Sequence, residues 1–271
     1  MFKKELRYFL LALGFFTRIP MPSYVDFEEA ELNHSVKYFP LIGIIVGLVG
    51  AAFFYLASLI FPQSLAVLVS MASTIYLTGA FHEDGLADSA DAIGGGWQRE
   101  QILTIMQDSR LGTYGTLALF FALITKYQLL VAMNVDMVLL GLICGHVLSR
   151  LSAVWLMRAL PYVKFSGKSK PLATSISTRD LWVANSFGLL PFLLFVWLMF
   201  VATFGNWMTV VLYVLLVFLA VGTAWWWWHR MLKRKLGGYT GDTLGAMQQM
   251  AEIAFYFACL VWLQIMIKGS V

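Results

Sequence analysis

Seven stretches of 17 to 24 residues, at 38–61, 65–81, 112–133, 137–158, 183–204, 207–228 and 246–267, are predominantly apolar and show no alternation of apolar with polar positions. A run of about 20 apolar residues wound as an α-helix matches a hydrocarbon core roughly 30 Å thick. Backbone amides in lipid are satisfied only inside helices or closed barrels, and barrel strands alternate. These runs are therefore helices. Composition agrees: 60% of the 271 residues are hydrophobic and 13% are charged, too few charges to cover a soluble fold of this size. The sequence predicts an all-α, polytopic helical membrane protein with about seven transmembrane helices, a single domain over residues 1–271. The second run is the shortest and is read as less tilted or partly re-entrant.

The connections alternate in length. Residues 62–64, 134–136 and 205–206 are tiny, whereas 1–37, 82–111, 159–182 and 229–245 are long. The long ones carry Lys3, Lys4, Arg7, Arg18, Lys37, Arg99, Arg110, Arg158, Lys164, Lys168, Lys170, Arg179, Arg230, Lys233, Arg234 and Lys235, which is 16 of the 19 basic residues. Only Lys268 lies on the other side; Lys126 and Arg150 fall within spans. The positive-inside rule makes the long loops cytoplasmic and places the C-terminus outside. The net charge of +4 is thus topological, and a nucleic-acid partner is not expected. Residues 5–17 are too short to span and are read as interfacial. Pro20 and Pro22 follow them, with no small-residue cleavage site, so no cleavable signal peptide is expected. Cys144 and Cys259 sit inside apolar runs and read as packing residues, not a disulfide. Trp225 to Trp228 read as an aromatic belt, with a stacking platform for a flat ligand as the minor alternative, and Gly43, Gly47 and Gly50 as a small-residue helix contact. A homo-oligomer is compatible with all of this.

The second long loop begins His82-Glu83-Asp84-Gly85-Leu86-Ala87-Asp88-Ser89-Ala90-Asp91. In a helix, Asp84, Asp88 and Asp91 occupy i, i+4 and i+7 and share one face. Like charges so placed repel, and no Lys or Arg follows until Arg99. A divalent cation is the economical counter-charge. Mg²⁺ takes oxygen ligands, usually one or two carboxylates plus substrate phosphates, so Asp84, Asp88, Asp91 and Glu83 are the candidate ligands; the bland alternative is a solvated acidic loop. Asp108 and Arg110 stand at the same level, and Arg110 reads equally as a phosphate contact and as a positive-inside flank. Before the last span runs Gly237-Gly238-Tyr239-Thr240-Gly241-Asp242. A glycine-rich entry to a helix N-terminus suits an anion, and Asp242 reads either as the helix cap or as a further ligand or general base. Within the spans, His146 and Arg150 lie four apart and Glu252 stands in the last. Such groups usually face a cavity or a partner: Arg150 is expected to pair with a carboxylate or reach a phosphate, Lys126 to snorkel, and His146 to pack.

Five stretches resemble the cobalamin synthase (adenosylcobinamide-GDP ribazoletransferase) family: Phe16-Thr17-Arg18-Ile19-Pro20, Tyr38-Phe39-Pro40-Leu41-Ile42-Gly43, His82 to Asp88, Asp108-Ser109-Arg110 with Gly112-Thr113-Tyr114-Gly115, and Gly238-Tyr239-Thr240-Gly241-Asp242. They run in order from residue 16 to about 246. The resemblance implies a Mg²⁺-dependent transferase of the bacterial inner membrane with its active site on the cytoplasmic side. Such an enzyme joins adenosylcobinamide-GDP to α-ribazole or its 5′-phosphate, making adenosylcobalamin or its 5′-phosphate and releasing GMP. On that reading Asp84, Asp88, Asp91, Asp242 and His82 are catalytic, with His82 or a carboxylate taking the hydroxyl proton. Arg18, Asp108, Arg110, Arg150, Thr240 and Gly241 contact substrate. The acidic loop is also similar to the Asp-Gly motif of CDP-alcohol phosphotransferases, but Phe81 stands where the first aspartate belongs and the Ala-Arg pair is missing. The competing class is a transporter of a cation or corrinoid. A transporter gathers polar groups near mid-membrane, whereas the acidic and glycine-rich motifs here lie in loops at one face.

Overall fold

The structure, a computed structural model, describes residues 2–22, 25, 29–163, 173–202 and 207–268. Lys164, Lys168 and Lys170, and the end of the run predicted at 183–204, lie outside the described residues.

Eleven helices follow in order: α1 (Phe2–Phe16), α2 (Glu29–Ser35), α3 (Phe39–Ser58), α4 (Gln63–Thr78), α5 (Phe81–Gly95), α6 (Arg99–Met106), α7 (Thr113–Val131), α8 (Val135–Ala159), α9 (Thr178–Ala202), α10 (Trp207–Lys235) and α11 (Gly241–Lys268). Among the described residues the only extended pairing is an isolated bridge between Tyr162 and Tyr239. Among the described residues six helices are long and apolar enough to cross a membrane by themselves. The seventh predicted span is α4, 16 residues long, which passes that test only together with α5, and the two meet at 85°. The break follows from backbone chemistry. Gly79 (φ 67°) and Ala80 (φ 59°) both adopt the left-handed conformation, which ends α4 and re-aims the chain.

Helices α8 and α11 form the centre, with α3, α5, α7 and α10 around them. Close packing rests on small residues where the sequence placed them. A Cβ on Gly43 would stand 2.5 Å from the His146 carbonyl oxygen, and one on Gly47 2.6 Å from Ile143 Cα, so α3 and α8 touch backbone to backbone. Gly50 faces α4, where the Ser70 hydroxyl donates to its carbonyl at 2.8 Å. Cys144 and Cys259 are buried free thiols. Leu190, Leu193, Leu194, Trp197, Leu215 and Phe218 on α9 and α10 remain exposed, as lipid-facing side chains do. Trp226 and Trp227 are exposed and fit an aromatic belt, but Trp228 is buried and its indole N–H donates to the Thr243 carbonyl at 2.9 Å.

The long connections gather at one end. Arg18 N–H donates to Leu77 O at 2.8 Å, and Tyr239 and Val163 exchange backbone bonds with Pro161 and Tyr239 at 2.9 Å. His34 meets Asp180 at 3.0 Å. Helix α1 lies over this end, with Phe16 edge-on to Phe39 at 4.3 Å and Glu5 bonded to Lys37 at 2.7 Å.

Candidate active site

The acidic segment forms α5, and it crosses the first turns of α11 almost without side chains between them. A Cβ on Gly85 would meet the Asp242 carbonyl oxygen at 2.7 Å, and one on Gly245 would stand 3.3 Å from the Cα atoms of Gly85 and His82. Glycine is needed here for close approach. The crossing brings Asp242, more than 150 residues away in sequence, to the same patch as Asp84 and Asp88.

The two readings of Asp242 are resolved by the helix cap. The Thr240 hydroxyl accepts the Thr243 N–H at 3.3 Å, and the Thr243 hydroxyl accepts the Thr240 N–H at 2.8 Å. This reciprocal pair caps α11, so Asp242 is left free of that duty and partly exposed. Thr240 itself is fully buried, its hydroxyl donating to Met106 Sδ at 3.1 Å. The structure therefore gives Thr240 a capping role and not the expected substrate contact; Gly241 beside it stays partly exposed.

On α5 the three aspartates share the outward face, as their spacing predicts, with Asp84 exposed and Asp88 and Asp91 half-buried. Asp88 lies on α5, past the run 65–81 that reads as the second span. Burial, and then the charges of Asp84, Asp242 and Asp91, push its carboxyl up to about 7. Asp91 is different. Its oxygens accept the N–H groups of Gly112 at 2.7 Å and Gly115 at 2.9 Å, which hold the start of α7. A carboxylate there also suits the positive end of the helix.

Two expected site residues point elsewhere. At 100° per residue, His82 falls on the side of α5 opposite the aspartates; it is buried and stacked on Phe16 at 5.6 Å. It does not reach the aspartate face as a base. Glu83 is also buried, its Oε1 accepting from Gln249 at 3.0 Å and its Oε2 without a hydrogen-bond partner, so it points into the bundle and away from the aspartate face.

Glu83 joins instead a polar network inside the bundle. Lys126, expected to snorkel, is buried and donates to Glu252 at 3.0 Å and to Gln249 at 3.0 Å. Glu252 also accepts from Gln248 at 2.7 Å and from Tyr256 at 3.1 Å, with His146 at 3.4 Å. Arg150 donates to the His146 carbonyl at 3.0 Å. Among the described residues no carboxylate pairs with it directly, and its Nε has no partner. With His82, Phe16, Phe39, Phe81, Gly241 and Gln248 it lines an enclosed cavity of about 20 Å³, room for one water. Sequence reasoning missed Gln248 and Gln249. Their signal was present: with Glu252, they place three polar residues on successive turns of an apolar helix.

The remaining candidates lie at the rim. Arg110 makes a forked ion pair with Asp108 at 2.9 and 3.0 Å, which holds the Asp108 carboxyl down at about 2. A phosphate approaching Arg110 competes with that carboxylate. Arg18 is exposed at the α4–α5 break, its guanidinium 5.6 Å from the Tyr76 ring centre.

The sequence that builds this arrangement, aspartates from two segments at one end of a membrane bundle, is similar to known sequences. The family model of cobalamin-5-phosphate synthase matches residues 8–260. The chain belongs to the cobalamin-5-phosphate synthase family. Three similar relatives are all named adenosylcobinamide-GDP ribazoletransferase. That of Shewanella amazonensis is 45% identical, covering 97% of this chain and 98% of the relative. That of Shewanella frigidimarina is 43% identical over 95% of each, and that of Shewanella pealeana 41% identical over 96% of each. No solved structure matches. The family and its relatives are named for synthesis and transfer, and the transporter alternative finds no support among them.

A divalent cation at the α5–α11 crossing would meet only carboxylate oxygens. Among the described residues no three His, Cys, Asp or Glu side chains stand close enough to form a ready-made metal centre. Mg²⁺ does not need one, since it binds through one or two carboxylates, water and substrate phosphate. Asp84, Asp88 and Asp242 fit that donor set: all are oxygen ligands, mutually repelling, with no Lys or Arg paired to them among the described residues.

Proposed function

We propose that this chain joins adenosylcobinamide-GDP to α-ribazole or its 5′-phosphate, giving adenosylcobalamin or its 5′-phosphate and GMP, as a Mg²⁺-dependent transferase of substituted phosphate groups. The carrying observation is the glycine-to-glycine crossing of α5 and α11, which sets Asp242 against Asp84 and Asp88 on an open, uncompensated acidic patch. The names of its relatives support the reaction. A ribose hydroxyl of the acceptor attacks the phosphorus nearer the cobinamide, the pyrophosphate bond breaks, and GMP leaves.

Asp84 and Asp88 are assigned to holding Mg²⁺. When bound, the ion neutralises charge on the pyrophosphate as it separates. Asp242, released from capping, takes the proton of the attacking hydroxyl or adds a ligand. Asp91 is assigned to positioning: it fixes the start of α7 and with it the Asp108–Arg110 rim. Arg110 exchanges Asp108 for a substrate phosphate. The same end carries the basic excess, so the site faces the cytoplasm of the bacterial inner membrane, where nucleotides are found.

The test is direct. Purified protein with adenosylcobinamide-GDP, α-ribazole and Mg²⁺ should release GMP in step with corrinoid product. No GMP from a folded protein under these conditions overturns the proposal.

A further inference from the structure

Beside the acidic patch lies a surface of the opposite sign. Trp97, Arg99, Lys233, Arg234, Lys235, Leu236 and Gly237 line an open pocket of about 420 Å³. Trp97 comes from the α5–α6 connection and Arg99 from the start of α6, Lys233, Arg234 and Lys235 from the last turn of α10, and Leu236 and Gly237 from the chain just after it. No carboxylate lines the pocket, and among the described residues none of the four cations makes an ion pair. Trp97 is 84% exposed, yet its ring is held, with Lys235 Nζ 5.8 Å from its centre. The ring has a cation near one face and is otherwise open.

Part of this has a plain explanation. Lys233, Arg234 and Lys235 occupy the last turn of α10, where cations complement the helix dipole. That does not account for Arg99 converging from another element, or for a tryptophan presented among them. Four unpaired cations repel one another and call for an anion. An open indole face calls for a flat ring, and stacking of a base on an aromatic side chain contributes about 1–3 kcal/mol. Phosphate and base together describe a nucleotide. The position suits one. Seven residues of α5, about 10 Å at 1.5 Å rise, separate Asp88 from the helix end at Gly95, and Gly237 stands five residues before Asp242. An extended nucleoside diphosphate has a comparable reach.

We infer that this pocket binds the guanosine phosphate end of the donor, the base stacked on Trp97 and the phosphates directed toward Asp84 and Asp88. The inference rests on the proposed reaction for the identity of the nucleotide. It is tested with radiolabelled GMP and the full-length protein in phosphatidylcholine nanodiscs. Trp97→Ala should weaken GMP binding roughly tenfold, Trp97→Phe should restore most of it, and Arg99→Gln with Lys233→Gln should weaken both GMP and inorganic pyrophosphate. Pyrophosphate binding should be indifferent to Trp97→Ala. Equal GMP binding by Trp97→Ala and wild type, or none by wild type, overturns the pocket. So does loss of phosphatidylglycerol retention by Trp97→Ala, measured in matched nanodiscs that contain that lipid, with GMP binding unchanged, which makes the pocket a lipid headgroup site. Any of these results with normal wild-type GMP release leaves the proposed reaction standing.

Discussion

Replacing Lys126 with methionine isolates the energetics of the polar network. Its ammonium lies 3.0 Å from Glu252, and both side chains are almost wholly buried. At an effective dielectric of 20 the attraction at that separation is about 5 kcal/mol, most of it offset by desolvation. Removing one partner leaves Glu252 buried with Gln248, Tyr256 and His146 as donors and without its only directly paired cation among the described residues, a loss of about 3–5 kcal/mol. For a chain of this size that lowers the melting temperature on the order of 10 °C. Adding Glu252→Gln to Lys126→Met removes the orphaned charge and should recover much of the loss. Thermal unfolding of wild type and the single and double variants in one detergent at one scan rate measures this. A Lys126→Met protein as stable as wild type, or a double variant no better than the single, refutes the pairing.

Other consequences follow from the crossing and its caps. Thr240→Ala should cost about 1 kcal/mol of stability through loss of the α11 cap, measured as a lower melting temperature. Gly85→Ala sets a methyl 2.7 Å from the Asp242 carbonyl, a backbone group that cannot turn aside; it should destabilise by about 1–3 kcal/mol and slow GMP release, whereas Gly222→Ala, with open space around it, should do neither. With divalent cations chelated, Asp88 favours its protonated form up to about pH 7, well above an unfolded aspartate. The folded state then holds the extra proton, so stability should fall as pH rises from 4 to 7; Mg²⁺ should reverse the fall, and Asp88→Asn should remove it in melting curves.

The spans were legible because lipid imposes length and apolarity on each helix separately. The break between α4 and α5 was half legible: the run 65–81 is the shortest and reads as partly re-entrant, but that Gly79 and Ala80 both turn left-handed is a property of the packed fold. The shared face of Asp84, Asp88 and Asp91 followed from helical period alone. What the period could not show is which of them has a competing partner, and the Gly112 and Gly115 amides that engage Asp91 lie on another helix. Asp242 joins the patch through a contact between glycines, which carry no chemistry to signal it. The Thr240–Thr243 cap was readable from its spacing, and reading it would have freed Asp242 at once. Lys126 and Glu252 lie 126 residues apart, and only the packing of α7 against α11 joins them.

The central claim is that the α5–α11 crossing is a metal-assisted transfer site. The most direct measurement is the Mg²⁺ dependence of GMP release by wild type, Asp84→Asn, Asp88→Asn and Asp242→Asn, with melting temperatures recorded alongside. Asparagine keeps the size of each side chain and relieves repulsion, so a merely solvated acidic face would be unharmed or slightly stabilised. The expected result is intact folding, turnover lower on the order of 100-fold or more, and a higher Mg²⁺ requirement for the activity that remains. Unchanged turnover and unchanged Mg²⁺ dependence in Asp88→Asn and Asp242→Asn would contradict the account.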